Sequence, residues 1–113
     1  MRIGTTAVLI ALVTLATVLA TAGTASAATT VTLGDNFFAP SSKTVAAGTK
    51  VRFKWTGNRR HNVKKKSGPG GGFKSQTTSA DGVNFAKTFN QRGVYRLICT
   101  IHPEEMKLKL TVD

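Results

Sequence analysis

The chain has 113 residues and carries sixteen Lys and Arg against five Asp and Glu, a formal net charge of +11 at pH 7. A field of this sign favours anionic partners and argues against cationic ones. The single Cys excludes an internal disulfide, and the length leaves room for one small domain.

Residues 1–27 have the pattern of a secretory signal peptide. A positive start at Arg2, a mostly apolar run over 7–20 and the small residues Ala25-Ser26-Ala27 follow one another in the expected order. Because the apolar run is shorter than the roughly 20 residues that span a bilayer, we expect cleavage and not a membrane anchor. The mature domain is then 28–113, without a transmembrane segment, and is periplasmic, associated with the cell envelope or secreted. Export makes nucleic acid the least expected anionic partner.

The first half of the mature region alternates strand patterns with turns. Residues 29–33 predict a half-buried strand, residues 34–36 signal a turn, and residues 44–47 predict a short extended segment. Residues 50–55 predict the clearest strand of the chain. One face of it carries Val51, Phe53 and Trp55, and the other carries Lys50, Arg52 and Lys54.

The second half continues with strands and loops. Residues 64–66 are three lysines, and residues 67–72 are too rich in Gly for a regular element, which predicts a mobile exposed loop. Residues 73–84 are polar and irregular, 85–89 form a weaker strand candidate, and 94–100 predict a central strand because both faces are largely apolar. No part of the mature chain has a helical apolar period. About seven short strands therefore predict an all-β antiparallel sandwich or barrel.

Residues 99–106 carry chemistry that the rest of the chain lacks. Cys99, His102 and Met106 lie within eight residues, His61 lies far upstream, and the chain contains no other Cys or His. A thiolate, two imidazoles and a weak thioether suit copper that cycles between Cu(I) and Cu(II). Each residue alone also fits a structural role, such as a buried Cys99 or a core Met106. The combination predicts the metal site.

The spacing within this stretch predicts a loop between two strands. On a regular strand, Cys99 and His102 would lie about 10 Å apart on opposite faces and could not share an ion. The chain must therefore leave the strand after Cys99, and Pro103 fits the turn because it lacks an N–H. From Met106 onward, apolar and polar residues alternate, which predicts a strand with one face in the core. Metal binding would also protect the unpaired thiol of an exported protein and stabilise its fold.

Several segments of the mature chain form a known combination: Phe38-Ala39-Pro40, residues 48–55, His61-Asn62-Val63, Gly93-Val94-Tyr95 and residues 99–103. With this combination the chain resembles the cupredoxins, the type 1 blue-copper family that includes plastocyanin, pseudoazurin and amicyanin. The resemblance covers nearly the whole mature chain and implies a Greek-key β-sandwich of about seven strands with one copper ion at one end. It also implies a ligand set, with His61, Cys99 and His102 equatorial and Met106 axial.

The resemblance further implies roles for residues beside the ligands. The N–H of Asn62 is expected to donate to the Cys99 sulfur, and the Asn62 side chain is expected to brace the ligand loops. Because position 101 is Ile and not Pro, the Ile101 N–H is free to donate to the same sulfur. Two such bonds would raise the reduction potential.

The axial position has alternatives. Three residues separate His102 from Met106, a spacing between the shorter amicyanin-like and the longer plastocyanin-like loops. If Met106 were displaced, a water molecule or a carboxylate from Glu104 or Glu105 would be the alternative axial ligand.

The resulting functional prediction is a monomeric single-electron carrier and not an enzyme, because no third group orients a Cys99–His102 pair for nucleophilic catalysis. The alternative is an extracytoplasmic copper-binding or copper-delivery protein. The expected partner is an acidic redox protein or an anionic envelope surface. A docking patch is predicted beside His61, and Lys107 and Lys109 are expected to reach toward the opposite end. The patch consists of Arg59, Arg60, Lys64, Lys65 and Lys66.

Overall fold

The computed structural model describes residues 27–113, which form eight strands and no helix. The strands are β1 (Ala28–Gly34), β2 (Phe37–Ala39), β3 (Ser42–Val45), β4 (Thr49–Trp55), β5 (Lys64–Ser67), β6 (Gly82–Phe89), β7 (Gly93–Ile98) and β8 (Lys107–Val112). The predicted signal peptide lies outside the described residues apart from Ala27. Within the described region, no helix has the length and apolar character needed to cross a membrane.

The strands form two four-stranded sheets, with the orders β2-β1-β4-β6 and β3-β8-β7-β5. The predicted all-β sandwich is confirmed, with eight strands in place of about seven. The expected wholly antiparallel pairing is wrong for two pairs, since β1 and β4 are parallel and so are β3 and β8. The chain crosses to the second sheet as β3 and then returns as β4 along β1, which makes these two neighbours run the same way.

Side-chain alternation fills the space between the sheets. In β4 every second residue from Thr49 is buried and the Lys and Arg residues between them are exposed, as predicted. The buried residues Met106, Leu108, Leu110 and Val112 provide the same alternation at β8. Because successive side chains of a strand point to opposite faces, each of these strands gives one face to the core. Full burial of one such apolar side chain is worth about 1.5–3 kcal/mol.

Strand β5 and the loop after it differ from the prediction. Lys65 pairs with Leu97 of β7 and is 8% exposed, so its side chain points inward. Its ammonium group donates to the carbonyl oxygens of Pro69 at 2.5 Å, Gly70 at 2.6 Å and Gly71 at 3.2 Å. These three bonds satisfy a buried charge. They also fasten the glycine-rich loop to the sheet, where the sequence had indicated a mobile loop.

The two ends of the sandwich have different contents. One end, called the ligand pole here, holds the β1–β2 turn, His61 and residues 99–106. The other end, called the far pole, holds both ends of the described chain. There the Lys50 N–H donates to the Ala27 carbonyl at 3.1 Å, and the Asp113 N–H donates to the Val45 carbonyl at 2.9 Å.

Candidate metal centre

Backbone hydrogen bonds shape the loop between β7 and β8. The Cys99 N–H donates to the Met106 carbonyl at 3.1 Å, which joins the two ends of the loop. Inside it, the N–H groups of Met106 and Glu105 both donate to the His102 carbonyl, at 2.9 and 3.2 Å. Strand β7 ends at Ile98, one residue before the predicted departure after Cys99, and the predicted turn brings His102 back toward Cys99.

His61 reaches the same place from the segment between β4 and β5. Its N–H donates to the Thr78 carbonyl at 3.0 Å, and its carbonyl accepts from the Thr78 N–H at 3.1 Å. The indole N–H of Trp55 donates to that carbonyl as well, at 3.2 Å. The His61 side chain is fully buried, so backbone and core together fix the ring.

The three predicted equatorial ligands meet. One ligand atom each of His61, Cys99 and His102 lies within 4.8 Å of the others. The Cys99 Sγ lies 3.8 Å from His61 Nδ1. The two imidazole rings have centroids 5.8 Å apart. A thiolate and two imidazole nitrogens at these separations form a soft donor set of the kind that selects copper.

One of these groups lacks the partner that a buried polar atom ordinarily has. Within residues 27–113, His102 Nδ1 is buried and accepts or donates no hydrogen bond. Cys99 is a buried free thiol whose Sγ has only a long, weak contact with His61 Nδ1 at 3.8 Å. An unsatisfied buried polar atom costs about 1–3 kcal/mol, whereas coordination would satisfy His102 Nδ1 and would use the buried thiol as a ligand. The donors therefore fit a metal ion.

Asp35 is the residue of this region that the sequence reasoning missed. It lies in the β1–β2 turn, and its Oδ1 is 3.1 Å from His61 Nε2. The carboxylate also accepts the N–H groups of Asn58, at 3.0 and 3.1 Å, and Arg59, at 2.9 Å. The Asn58 N–H, the His61 ring and the Arg59 N–H lower the pKa of Asp35 from 3.8 to about 2. Its only signal in the sequence is that of a turn residue.

Asn62 links the two ligand-bearing segments. Its side-chain NH₂ donates to the hydroxyl groups of Thr77 and Thr100, each at 2.8 Å, and its Oδ1 accepts the Thr100 N–H at 2.9 Å. Thr100 directly follows Cys99, and Asn62 directly follows His61. The Asn62 side chain therefore ties the backbone beside one ligand to the backbone beside another.

The remaining loop residues divide by exposure. Met106 is fully buried, whereas the alternative axial ligands Glu104 and Glu105 are exposed. Ile101 is 45% exposed. Its N–H and that of Asn62 stay predicted donors to the Cys99 sulfur.

The predicted docking patch needs one correction. Arg59, Arg60, Lys64 and Lys66 are exposed. Lys65 is buried against the glycine-rich loop, so it is not available to a partner.

The expected separation of Lys107 from this patch is also wrong. Lys64 and Lys107 flank Ile98 from its two sides in the same sheet. A groove of about 510 Å³ on this sheet is lined by Lys66, Lys107 and Lys109, among others.

Comparison with known proteins gives consistent results. A family model described as copper binding proteins of the plastocyanin/azurin family matches residues 25–113. Amicyanin from Paracoccus versutus is 30% identical with a TM-score of 0.67, over 76% of this chain and 81% of that one. A purple cupredoxin from Nitrosopumilus maritimus is 23% identical with a TM-score of 0.65, over 75% and 99% of the two chains.

A larger protein also matches. A copper-containing nitrite reductase from Thermus scotoductus is 26% identical with a TM-score of 0.67, over 75% of this chain but 22% of that one. A search of curated protein sequences returned no significant match.

Proposed function

Since the chain belongs to the plastocyanin/azurin family of copper-binding proteins and its cofactor is one copper ion, we propose that it is an exported single-electron carrier. The proposed equatorial ligands are His61 Nδ1, Cys99 Sγ and His102 Nδ1, and the proposed axial ligand is the Met106 thioether. Bound copper would supply the one-electron couple between Cu(I) and Cu(II). The observation that carries the proposal is the convergence of the three donor atoms within 4.8 Å.

The surroundings of the donors support electron transfer. His61 and Cys99 are fully buried, and the backbone and Asn62 hydrogen bonds hold their segments together. A site held in this way changes little between two oxidation states, so each transfer needs little rearrangement. His102 is partly exposed, which gives an electron a short route between the metal and a partner.

The burial of Met106 supports its axial role. Its side chain is fully buried, and it directly precedes β8 at the end of the ligand loop. The exposed carboxylates of Glu104 and Glu105 would have to leave water to reach the site, and desolvation of a charge is costly. Met106 is therefore the better candidate.

The proposal is tested by adding Cu(II) to the purified domain of residues 28–113. We expect intense visible absorption from thiolate-to-copper charge transfer and reversible one-electron voltammetry. Cys99→Ser should abolish the band and keep the fold, because a hydroxyl fills nearly the same volume but is a poor substitute for thiolate. His61→Ala should also lose the band. Retention of the band in either variant would remove that residue from the site.

Copper delivery is the competing function. A delivery site releases its ion by ligand exchange with an acceptor, which needs access to several ligands. Here one His and the Cys are fully buried, which favours retention of the ion. Rapid loss of copper to a competing apo-protein would support delivery, and a stable reversible couple in the presence of that competitor would support the carrier.

We propose an acidic redox protein as the partner, docked on the exposed cations Arg59, Arg60, Lys64 and Lys66 beside the ligand segments. Their charge and their place near the ligand pole support this choice. The groove next to Lys66 adds further cations to the same sheet face. An anionic envelope surface is the alternative anionic partner.

Charge reversal tests this docking surface. Lys64→Glu with Lys66→Glu is compared with Lys50→Glu with Arg52→Glu, two exposed cations at the same spacing on the other sheet. Electron-transfer rates with an acidic redox protein should fall far more in the first variant. The difference should shrink as salt shortens the Debye length from about 30 Å at 0.01 M to about 10 Å at 0.1 M. Equal losses would leave general attraction by the net charge as the explanation.

A further inference from the structure

The β1–β2 turn brings a carboxylate to the back of one ligand ring. Gly34 pairs with Phe37, so Asp35 and Asn36 form a two-residue turn, with Asn36 at a φ of 73°. Asn tolerates this left-handed conformation better than most residues. The turn places the Asp35 side chain against the segment that leads to His61, and Asp35 Oδ1 lies 3.1 Å from His61 Nε2.

This contact decides which nitrogen of His61 carries the proton. The Asp35 carboxylate accepts the N–H groups of Asn58 and Arg59, and a charged carboxylate can only accept a hydrogen bond. Nε2 is therefore the donor, which leaves the lone pair on Nδ1, 3.8 Å from the Cys99 sulfur. Because the ring is fully buried, it has no room to turn toward water.

The arrangement is built from two segments that approach closely. Besides His61, the Asp35 carboxylate binds two consecutive N–H groups, those of Asn58 and Arg59. A Cβ at Gly57 would overlap the Asp35 carboxylate and would lie 2.9 Å from its backbone nitrogen. Gly57 thus permits the contact. The three hydrogen bonds and this close approach fix the carboxylate without reference to any metal.

The two imidazoles are supported differently. His61 has a charged acceptor at Nε2, on the side of the ring away from Cys99, whereas the His102 ring is partly exposed to solvent. A carboxylate behind a ligand imidazole orients the ring and raises its basicity as a ligand. A negative charge one hydrogen bond away from the ligand also favours Cu(II) over Cu(I), since the higher ionic charge is attracted more strongly.

We propose that Asp35 is a positioning residue that fixes the Nε2-protonated form of His61 and, through its charge, lowers the reduction potential of the site. The ring orientation is a property of the copper-free protein. The effect on the potential rests on the proposed function of the preceding section. The hydrogen bond and the charge can be separated, because Asn has nearly the shape of Asp and retains a carbonyl acceptor.

The experiment compares Asp35→Asn and Asp35→Ala, with Asp113→Asn as the control. Asp113 is an exposed carboxylate at the far pole, so the control removes the same charge far from the ligands. In the copper-free domain, ring ¹⁵N chemical shifts report which nitrogen of His61 is protonated. In the copper-loaded domain, voltammetry reports the ratio of Cu(II) to Cu(I) affinity.

We expect the Nε2-protonated ring in the unsubstituted domain, in Asp35→Asn and in the control. Asp35→Asn should lower the Cu(II)-to-Cu(I) affinity ratio about tenfold, which raises the potential by about 59 mV for one electron. Asp35→Ala should lose the tautomer preference and bind copper about 10- to 100-fold more weakly. Asp113→Asn should change neither quantity.

Several results would overturn the proposal. An unsubstituted domain with His61 protonated on Nδ1 would refute the positioning role, and so would an Ala variant that keeps the Nε2 form. A potential in Asp35→Asn equal to that of Asp113→Asn would refute the role of the charge. If Asp35→Ala does not fold, the unsubstituted domain and Asp35→Asn still decide both points. Absence of the charge-transfer band in the unsubstituted domain would refute the proposed function but leave the copper-free tautomer result intact.

Discussion

Substitution of Asn62 by Ala should loosen the connection between the two ligand-bearing segments. The Asn62 side chain is 1% exposed and makes three hydrogen bonds, two of them to Thr100 and one to Thr77. A typical hydrogen bond contributes about 0.5–1.5 kcal/mol net. The Thr100 side chain can turn to water because that residue is exposed, which reduces the loss. We therefore expect Asn62→Ala to lower the free energy of unfolding by about 2–4 kcal/mol.

The assay is urea unfolding of the copper-free domain, with the m-value as a check that the unfolded state is unchanged. Thr100→Val and Thr77→Val are matched controls, because Val has nearly the shape of Thr. Each substitution removes one hydroxyl group that accepts a hydrogen bond from Asn62. Each should cost about 0.5–1.5 kcal/mol. Combining Asn62→Ala with Thr100→Val should cost less than the two separately by about 1 kcal/mol, since both remove the same bond.

A loss below about 0.5 kcal/mol for Asn62→Ala, within the range of an ordinary surface substitution, would refute this account. Strict additivity with Thr100→Val would also refute it, because two residues that share a bond must couple. Either result would mean that backbone pairing alone joins the ligand segments.

Three further predictions concern the proposed axial ligand Met106, the buried Lys65 and the dependence of stability on pH. Met106→Leu should keep copper bound and raise the reduction potential, because a weak soft donor is lost and the site becomes more apolar; an unchanged spectrum and potential would show that Met106 is not a ligand. Lys65→Met should lower the free energy of unfolding by about 1–3 kcal/mol, since three charged hydrogen bonds are lost and one desolvated ammonium is removed. Amide hydrogen exchange of residues 67–72 should become faster in this variant. Unchanged exchange would contradict the role of Lys65 in holding that loop. The stability contributed by the depressed pKa of Asp35 should be complete above its ordinary value of 3.8 and should be lost as the pH falls to about 2. Urea midpoints of the copper-free domain should therefore fall across this interval more than those of Asp35→Asn, and equal falls would contradict the shift.

The strands with clean alternation could be predicted from the sequence. In β4 from Lys50 onward and in β8, apolar residues alternate with cationic or polar ones, so the period alone assigns each side chain to the core or to the outer face. The ligand loop could also be predicted from the sequence, because only a turn after Cys99 allows His102 to face the same ion. Cys and His are rare in this chain, and their spacing permits few backbone conformations in which they share a metal ion.

Strand β5 could not be predicted in this way. Three consecutive lysines give no alternation, and the inward position of Lys65 depends on three carbonyl groups of the following loop. Those partners are local in sequence, but their convergence on one ammonium group depends on how closely the loop packs against Tyr95 at Gly68. Composition indicates a flexible loop, whereas the buried cation imposes a structure on it.

Asp35 was missed for a different reason. It precedes Asn36 after Gly34, and each of these residue types has an ordinary role in a turn. Its second role appears only when β1 lies parallel to β4, which brings the end of β1 beside the segment that leads to His61. The parallel pairing depends on a chain crossing between sheets that local patterns do not reveal.

The position of both ends of the described region at the far pole determines how residues 27–113 can be attached to something else. Ala27 is hydrogen-bonded to Lys50 near the start of β4, and Asp113 is hydrogen-bonded to Val45 at the end of β3. Both residues lie about a strand length from the ligand loop. Any tag, linker or fused domain joined at either end would therefore leave the partly exposed edge of His102 uncovered. Immobilised on an electrode through either end, the molecule would face the solution with its ligand pole, and direct exchange with the electrode would require transfer through the length of the sandwich. Attachment through a linker at either end thus turns the ligand pole toward soluble partners, whereas turning the ligand pole toward the electrode requires attachment near the ligand loop.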